Sequence, residues 1–199
     1  MNRSSLAGNT RTPAETLAAL AADESAWVRR CLAKNKSTPA SLLTAMAKDE
    51  DEDVRWLVAR DTSTPAATLA MLAADKDEDV RRAVAGNTST PVEVLAVLAK
   101  NRDAFFRLAV ADNTRTPRET LATLAKDGDY DVRQYVAANT STPGEVLTVL
   151  AGDENECVRE SVARNPNTPR AHGRTTKEVT VDNHNPPRHP QLRGHAAKH

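Results

Sequence analysis

One arginine recurs every 26 residues along this chain, and its chemistry is the first feature to interpret. A guanidinium group binds carboxylates and phosphates through paired hydrogen bonds. The row could therefore form a track for an anionic ligand, or it could pair with acids of the repeats themselves. An Asp precedes the arginine by four residues in four repeats, and another acidic or amide residue precedes it by six. Since these acids recur together with the base, we expect a structural ladder made of Arg29, Arg55, Arg81, Arg107, Arg133 and Arg159.

The aromatic residues, only 3% of the chain, all fall in the second half of a repeat. Phe106 replaces a Val that other repeats have, so we interpret it as packing. The other aromatic residues stand at positions that vary from repeat to repeat, as expected of a surface that recognises a partner. The sequence leaves a binding face and local repacking equally open. The candidate face comprises Trp27, Arg30, Trp56, Arg60, Arg82, Phe105, Leu108, Tyr130, Gln134 and Tyr135. We expect removal of Trp56 to weaken partner binding with little loss of stability.

Residues typical of catalysis or metal binding are not grouped along the chain. All five histidines lie beyond Pro169, where no regular spacing fixes a metal geometry, although imidazole suits zinc, copper or nickel. Cys31 and Cys157 lie about five repeats apart, too far for a disulfide in an extended array. The seven glycines form no phosphate-binding loop. We therefore expect no enzyme, no cofactor and no metal site.

The arginines and the aromatic residues are positioned by a repeat that begins at a Thr-Pro pair and has a period of 26 residues. Six whole repeats span residues 13–168, and residues 1–12 are the end of an incomplete one. Positions within a repeat are counted from its proline. The repeat prolines are Pro13, Pro39, Pro65, Pro91, Pro117, Pro143 and Pro169.

Each repeat predicts two helices. We place the Thr hydroxyl at the N-cap of the first helix and the proline at its first helical position. Leucines at the fifth and eighth positions then form a buried stripe, as Leu95 and Leu98 do. An Asp, Asn or Ser at position thirteen is the expected N-cap of the second helix, whose core residues are mostly Val. That helix has only about nine residues, so part of it could be 3₁₀.

The pattern predicts an all-α fold, an α-solenoid in which each repeat buries apolar area against its neighbours. After Pro169 the periodicity is lost, and residues 169–199 are predicted to be a disordered tail rich in His and Pro. Residues 170–199 carry six basic and two acidic residues, so the tail is basic. The whole chain has a formal net charge of zero and shows neither a signal-peptide pattern nor a long apolar run, which favours a cytoplasmic location without a membrane partner.

The unit Asn-Thr-x-Thr-Pro-x-x-x-Leu-x-x-Leu-Ala-x-Asp, followed by Val-Arg-x-x-Val-Ala-x-Asn, resembles the leucine-rich repeat variant family of bacteria over residues 3–169. This resemblance implies a right-handed superhelix of alternating α- and 3₁₀-helices. The Val-Arg-x-x-Val-Ala segment is also similar to the second helix of HEAT-type repeats. The best-known member of the variant family has an N-terminal cysteine cluster that holds an iron–sulfur centre. This chain departs from that pattern, so no iron–sulfur role carries over.

Taken together, the sequence favours a non-catalytic scaffold that presents a curved surface to a protein or peptide. One alternative is a HEAT-like nucleic-acid-binding module that uses the arginine row and the basic tail. Another is an accessory subunit of a lyase-like enzyme. End-to-end self-association is a further possibility, because the last repeat keeps its apolar residues at an end of the array.

Overall fold

The computed structural model describes residues 2–169 of the chain. Apart from Pro169, the predicted disordered tail lies outside the described residues. Every regular element between residues 2 and 169 is a helix, and the helices alternate along the chain as the repeat predicts. They are α1 (Arg3–Gly8), α2 (Ala14–Leu20), α3 (Ala26–Ala33), α4 (Ala40–Met46), α5 (Glu52–Arg60), α6 (Ala66–Leu72), α7 (Glu78–Gly86), α8 (Val92–Leu98), α9 (Ala104–Asp112), α10 (Arg118–Leu124), α11 (Tyr130–Ala138), α12 (Gly144–Leu150) and α13 (Glu156–Arg164).

The second helices, α3 to α13 in odd numbers, begin where the sequence predicts. In α5 the Asp51 side chain accepts a hydrogen bond from the Val54 N–H, which satisfies a backbone donor that the helix itself cannot pair. Asp77, Asp103, Asp129 and Asn155 cap their helices in the same way. Ser25 makes no side-chain cap bond. These helices are α-helical along their eight or nine residues, so the 3₁₀ segments implied by the family resemblance are not found in them.

The first helices begin differently from the prediction. The proline is itself the N-cap, with extended backbone such as φ −60° and ψ 146° at Pro39, and the helix starts at the next residue. The preceding threonine does not cap this helix. Its hydroxyl donates instead to a carbonyl of the second helix before it, as Thr142 Oγ1 does to Val136 O at 2.6 Å. The predicted N-cap role of the threonine was therefore wrong, because its hydroxyl is bonded to a carbonyl at the end of the preceding second helix.

The core is a continuous stack of aliphatic side chains. Each second helix packs against the second helices of the adjoining repeats, while the first helices pack against the second helix of their own repeat and of the one before. The leucines of the fifth position are at most 1% exposed: Leu17, Leu43, Leu69, Leu95, Leu121 and Leu147. Burying one such side chain stabilises the fold by about 1.5–3 kcal/mol. The predicted helical solenoid is confirmed.

The last repeat also buries its apolar residues. Leu147, Leu150, Val158 and Val162 are each at most 2% exposed. End-to-end association of the array stays a prediction, because burial within one chain does not test it.

Candidate functional site

The arginine that recurs in each repeat makes its hydrogen bonds at the turn that joins the two helices. Arg55 of the second repeat reaches Asp75 of the third, with Nε donating to Oδ2 at 2.8 Å and Nη2 donating to Oδ1 at 3.1 Å. Its remaining Nη1 donates to two carbonyl oxygens of its own turn, those of Asp49 and Glu50, at 2.8 and 3.0 Å. One guanidinium group thus fastens its own turn to the turn of the following repeat.

The same paired bonds join three other pairs of adjacent repeats. We call this series the arginine ladder, and its carboxylate-bound rungs are Arg29–Asp49, Arg55–Asp75, Arg107–Asp127 and Arg133–Asp153. Each pair is largely withdrawn from water: the Arg55 and Asp75 side chains are 5% and 9% exposed. The hydrogen bonds that Arg55 donates to Asp75 raise the pKa of Arg55 in spite of burial. Burial opposes ionisation of Asp75, but the bonds from Arg55 and from the Asp77 N–H outweigh it and lower the pKa of Asp75.

Four ladder arginines bind acids of the next repeat, but these are not all the acids that the sequence suggested. The expected pairing of each arginine with the Asp four residues before it is wrong. Those aspartates cap the second helices, so their carboxylates are already bound to backbone N–H groups, as Asp51 is to Val54. The partner is the Asp at position eleven of the next repeat, twenty residues later along the chain.

Two of the six ladder arginines, Arg81 and Arg159, bind no carboxylate within residues 2–169, and at Arg81 an amide replaces it. Asn101 occupies the place of the Asp that Arg81 would bind, and its Oδ1 accepts the Asp103 N–H at 2.9 Å. Arg81 keeps the bonds from Nη1 to the carbonyls of Asp75 and Lys76 at 2.6 and 3.0 Å. Its guanidinium carbon lies 5.7 Å from the centre of the Phe106 ring.

Three aromatic side chains of the candidate face are open to solvent. Trp27, Phe105 and Tyr130 are 60%, 55% and 45% exposed. All three lie at the first or second residue of a second helix. Arg60 is exposed as well, and its guanidinium group lies 4.6 Å from the centre of the Trp56 ring.

Two arginines of the candidate face are bound to the adjoining repeat. Arg30 forms two hydrogen bonds with Asp51, at 2.9 and 2.6 Å, and a salt bridge of 2.7 Å with Asp53. Arg82 pairs with Glu78 and Asp79 in its own helix and lies 5.3 Å from the Phe105 ring of the next. These contacts give both residues a role between repeats.

The other members of the face are half-buried. Trp56, Leu108 and Tyr135 pack against the core, and Gln134 is likewise only partly exposed. Burial, together with Asp112 and Asp131, raises the pKa of the Tyr135 hydroxyl. The packing of Trp56 argues against our expectation that its removal would leave stability almost unchanged. The three exposed residues, Trp27, Phe105 and Tyr130, are called the aromatic surface.

Comparison with solved structures places this arrangement among known repeat proteins. A structure described as a leucine-rich repeat variant with a novel repetitive protein structural motif superposes with a TM-score of 0.58 and 32% sequence identity, covering 78% of this chain. The repeats of this chain are similar to those of this leucine-rich repeat variant. The resemblance seen in the sequence is thus confirmed. The chain spans 63% of the length of that structure.

A second solved structure is less similar to this chain. A crystal structure of an engineered protein aligns at 22% identity and a TM-score of 0.46, covering 82% of this chain and 95% of the engineered one. Neither a scan of protein-family models nor a search of curated proteins gives a match. Among the described residues, no helix has the length and apolar character needed to cross a membrane.

A second set of bonds between the repeats was not predicted from the sequence. Asn87 Nδ2 donates to the carbonyls of Ala59 and Asp61 in the preceding repeat, at 2.7 and 2.9 Å, while its Oδ1 accepts the Ser89 N–H. Equivalent bonds are made by Asn35, Asn113, Asn139 and Asn165. The recurrence of Asn at the end of each second helix was the available signal, but the sequence suggested only that the helix ends there.

Asp61 interrupts this asparagine row. It is 4% exposed, and its carboxylate accepts hydrogen bonds from Ser63 and, at 3.0 Å, from Lys36 Nζ of the preceding repeat. Burial opposes its ionisation, yet these bonds prevail and lower the pKa of Asp61. A carboxylate cannot donate to the carbonyls that an asparagine would bind, so this junction lacks the two bonds that Asn87 and its equivalents make.

Proposed function

We propose that the protein is a non-catalytic repeat scaffold whose aromatic surface binds a protein or peptide. The observation that carries this proposal is the exposure of Trp27, Phe105 and Tyr130 in a chain with only 3% aromatic residues. Large aromatic side chains dominate the energetics of protein interfaces, because they bury much area at a small cost in conformational entropy.

The rigidity of the array supports the same function. The arginine ladder and the asparagine row join each repeat to the next through side chains that are mostly buried. A surface held in place before binding loses less conformational entropy when a partner docks. The residues of the aromatic surface vary between repeats, while those of the arginine ladder and the asparagine row recur. Partner recognition and stabilisation of the array therefore belong to different positions of the repeat.

A nucleic-acid-binding function finds less support in the geometry. Four of the six ladder arginines already bind carboxylates of the next repeat, for example Arg133 with Asp153 at 2.7 Å. A phosphate would have to displace these carboxylates. Binding of duplex DNA or RNA that weakens steeply with salt would favour this alternative over the scaffold.

The proposal is tested by selecting binders from a displayed library of random peptides with the full chain. We expect the selected peptides to lose at least tenfold in affinity on Trp27→Ala or Phe105→Ala. Val97→Ala is the matched control, because Val97 is 69% exposed but lies on a first helix. Peptides that bind all three variants equally, or a selection that yields none, would refute a role for this surface.

A further inference from the structure

The junction between the third and fourth repeats differs from the other junctions of the arginine ladder. In the carboxylate-bound rungs, one oxygen of the Asp accepts the backbone N–H two residues later and an Arg Nη2, while the other accepts Arg Nε, as in Asp75 with Arg55. Asn101 keeps the first of these bonds through its Oδ1, which accepts the Asp103 N–H. Its Nδ2 therefore takes the place of the second oxygen, and a donor replaces an acceptor there.

This exchange leaves donors without an acceptor on both sides of the junction. Arg81 donates from Nη1 to the turn carbonyls of its own repeat, while its Nε and Nη2 make no hydrogen bond to another described residue. The Nδ2 of Asn101 likewise has no protein acceptor in the described part of the chain. The repeat register gives Asn101 the position that an aspartate has in the other rungs, so these donors belong to the two sides of one junction.

Three exposed basic residues lie beside this junction. Lys76, Lys100 and Arg102 are exposed residues of the two adjoining turns, and their side chains form no ion pair within residues 2–169. The nearby acids are already engaged. Glu78 and Asp79 bind Arg82. Asp77 caps α7 through the Val80 N–H at 3.0 Å, and Asp103 caps α9 through the Phe105 N–H at 2.9 Å.

We propose that Arg81 and Asn101 form a binding site for a carboxylate, supplied by an Asp or Glu side chain of an acidic partner segment. This proposal rests on the proposed function for the partner, but the site itself is a property of the junction. The incoming carboxylate accepts two charge-assisted hydrogen bonds from Nε and Nη2 of Arg81, and its oxygens also accept a hydrogen bond from Nδ2 of Asn101. Phe105, 55% exposed and at the start of the same helix as Phe106, offers apolar contact to the neighbouring residues of the segment.

The site is tested first with acetate. The ¹⁵N-labelled full chain is titrated with sodium acetate against sodium chloride at constant ionic strength, and the arginine Nε–Hε resonances are followed, with Arg81 assigned from Arg81→Lys. We expect the Arg81 resonance to shift in a saturable manner while that of Arg55 does not. Asn101→Asp should remove the Arg81 response, and Asp75→Asn should create one at Arg55. Equal responses of Arg81 and Arg55 in the unmodified chain, or an Arg81 response that persists in Asn101→Asp, overturn the proposal.

A second arm separates the carboxylate site from the aromatic surface. A fluorescein-labelled peptide of alternating Glu and Leu is compared with an analogue in which Gln replaces every Glu. We expect the acidic peptide to bind at least tenfold more tightly and to lose this advantage in Asn101→Asp. An acetate response at Arg81 without binding of either peptide supports the carboxylate site and contradicts the partner surface. Equal binding of both peptides, sensitive to Trp27→Ala and without an acetate response, supports the surface and overturns the carboxylate site.

Discussion

Arg133 and Asp153 belong to different repeats, yet they form a bidentate ion pair with bonds of 2.7 and 3.0 Å. The Arg133 Nη1 also donates to the Asp127 carbonyl at 2.8 Å, in the turn of its own repeat. The pair therefore links two successive turns through one side chain. Because this geometry recurs along the array, the stability of each junction can be tested rung by rung.

Removing one partner of a buried rung should destabilise the array. We expect Arg55→Met to lower the free energy of unfolding by about 3 kcal/mol, since it leaves the Asp75 carboxylate buried without its cation. The matched control is Arg159→Met, whose arginine is exposed and makes hydrogen bonds to two turn carbonyls. We expect Arg159→Met to lower the free energy of unfolding by about 1 kcal/mol. Urea denaturation followed by circular dichroism measures both, and equal losses would contradict the ladder as a stabilising feature.

Acid should weaken the array through the aspartates of the ladder. The folded-state pKa of Asp75 is lowered, so this residue contributes stability that is present above its unfolded pKa of about 3.9 and is lost as pH falls through the folded value. Asp127 and Asp153 shift in the same direction. We expect the melting temperature to fall steeply below about pH 4 and the slope to be shallower in Asp75→Asn. An unchanged slope in that variant would show that the pair does not titrate with folding.

Asp131, unlike the aspartates of the ladder, should lower the stability of the folded state when it is ionised. Burial and the nearby charge of Asp129 raise its pKa, so the ionised carboxylate destabilises the folded state at neutral pH. Asp131→Asn is expected to raise the melting temperature at pH 7, and this gain should disappear below the unfolded pKa of about 3.9, where both states are protonated. Differential scanning calorimetry at pH 7 and pH 3.5 checks the sign. A gain that is the same at both values would rule out an electrostatic cause.

Restoring the asparagine row should stabilise the second repeat. Asp61→Asn allows the side chain to donate to the carbonyls of Ala33 and Asn35, as the register of Asn87 predicts. We expect a gain of about 1 kcal/mol in the free energy of unfolding, because the lost ion pair with Lys36 involves an amine whose side chain is 74% exposed. The reverse change, Asn113→Asp, should lower the free energy of unfolding. A loss of stability in Asp61→Asn would mean that the contact with Lys36 dominates.

The two tryptophans should differ in how much they contribute to the free energy of unfolding. Trp27 is 60% exposed, so Trp27→Ala is expected to change the free energy of unfolding by no more than about 0.5 kcal/mol. Trp56 is half-buried against the core and stacks with Arg60, so Trp56→Ala should cost about 2 kcal/mol. Chemical denaturation of both variants, combined with the peptide-binding assay, separates recognition from packing. Equal stability losses would place Trp27 in the core as well.

The secondary structure could be predicted from the sequence wherever local chemistry decides it. The leucine spacing identified the buried face that holds Leu17 and Leu43, and the Asp of position thirteen predicted the start of each second helix. The start of the first helices was missed. Thr38 binds the carbonyl of Leu32, six residues earlier, at 2.8 Å, and this choice depends on the path of the chain between two helices.

By itself, the sequence determined the period, the pair of helices in each repeat and the residues that must be buried, since these follow from helical periodicity and apolar burial over short distances. Only the tertiary structure decided which acid each arginine binds and where each asparagine donates. Asp75 reaches Arg55, and Asn87 reaches Ala59, because the stacking register brings together atoms that are 20 and 28 residues apart in the chain. The same register places Asn101 opposite Arg81 and so creates the one rung of the described ladder in which an asparagine replaces the aspartate.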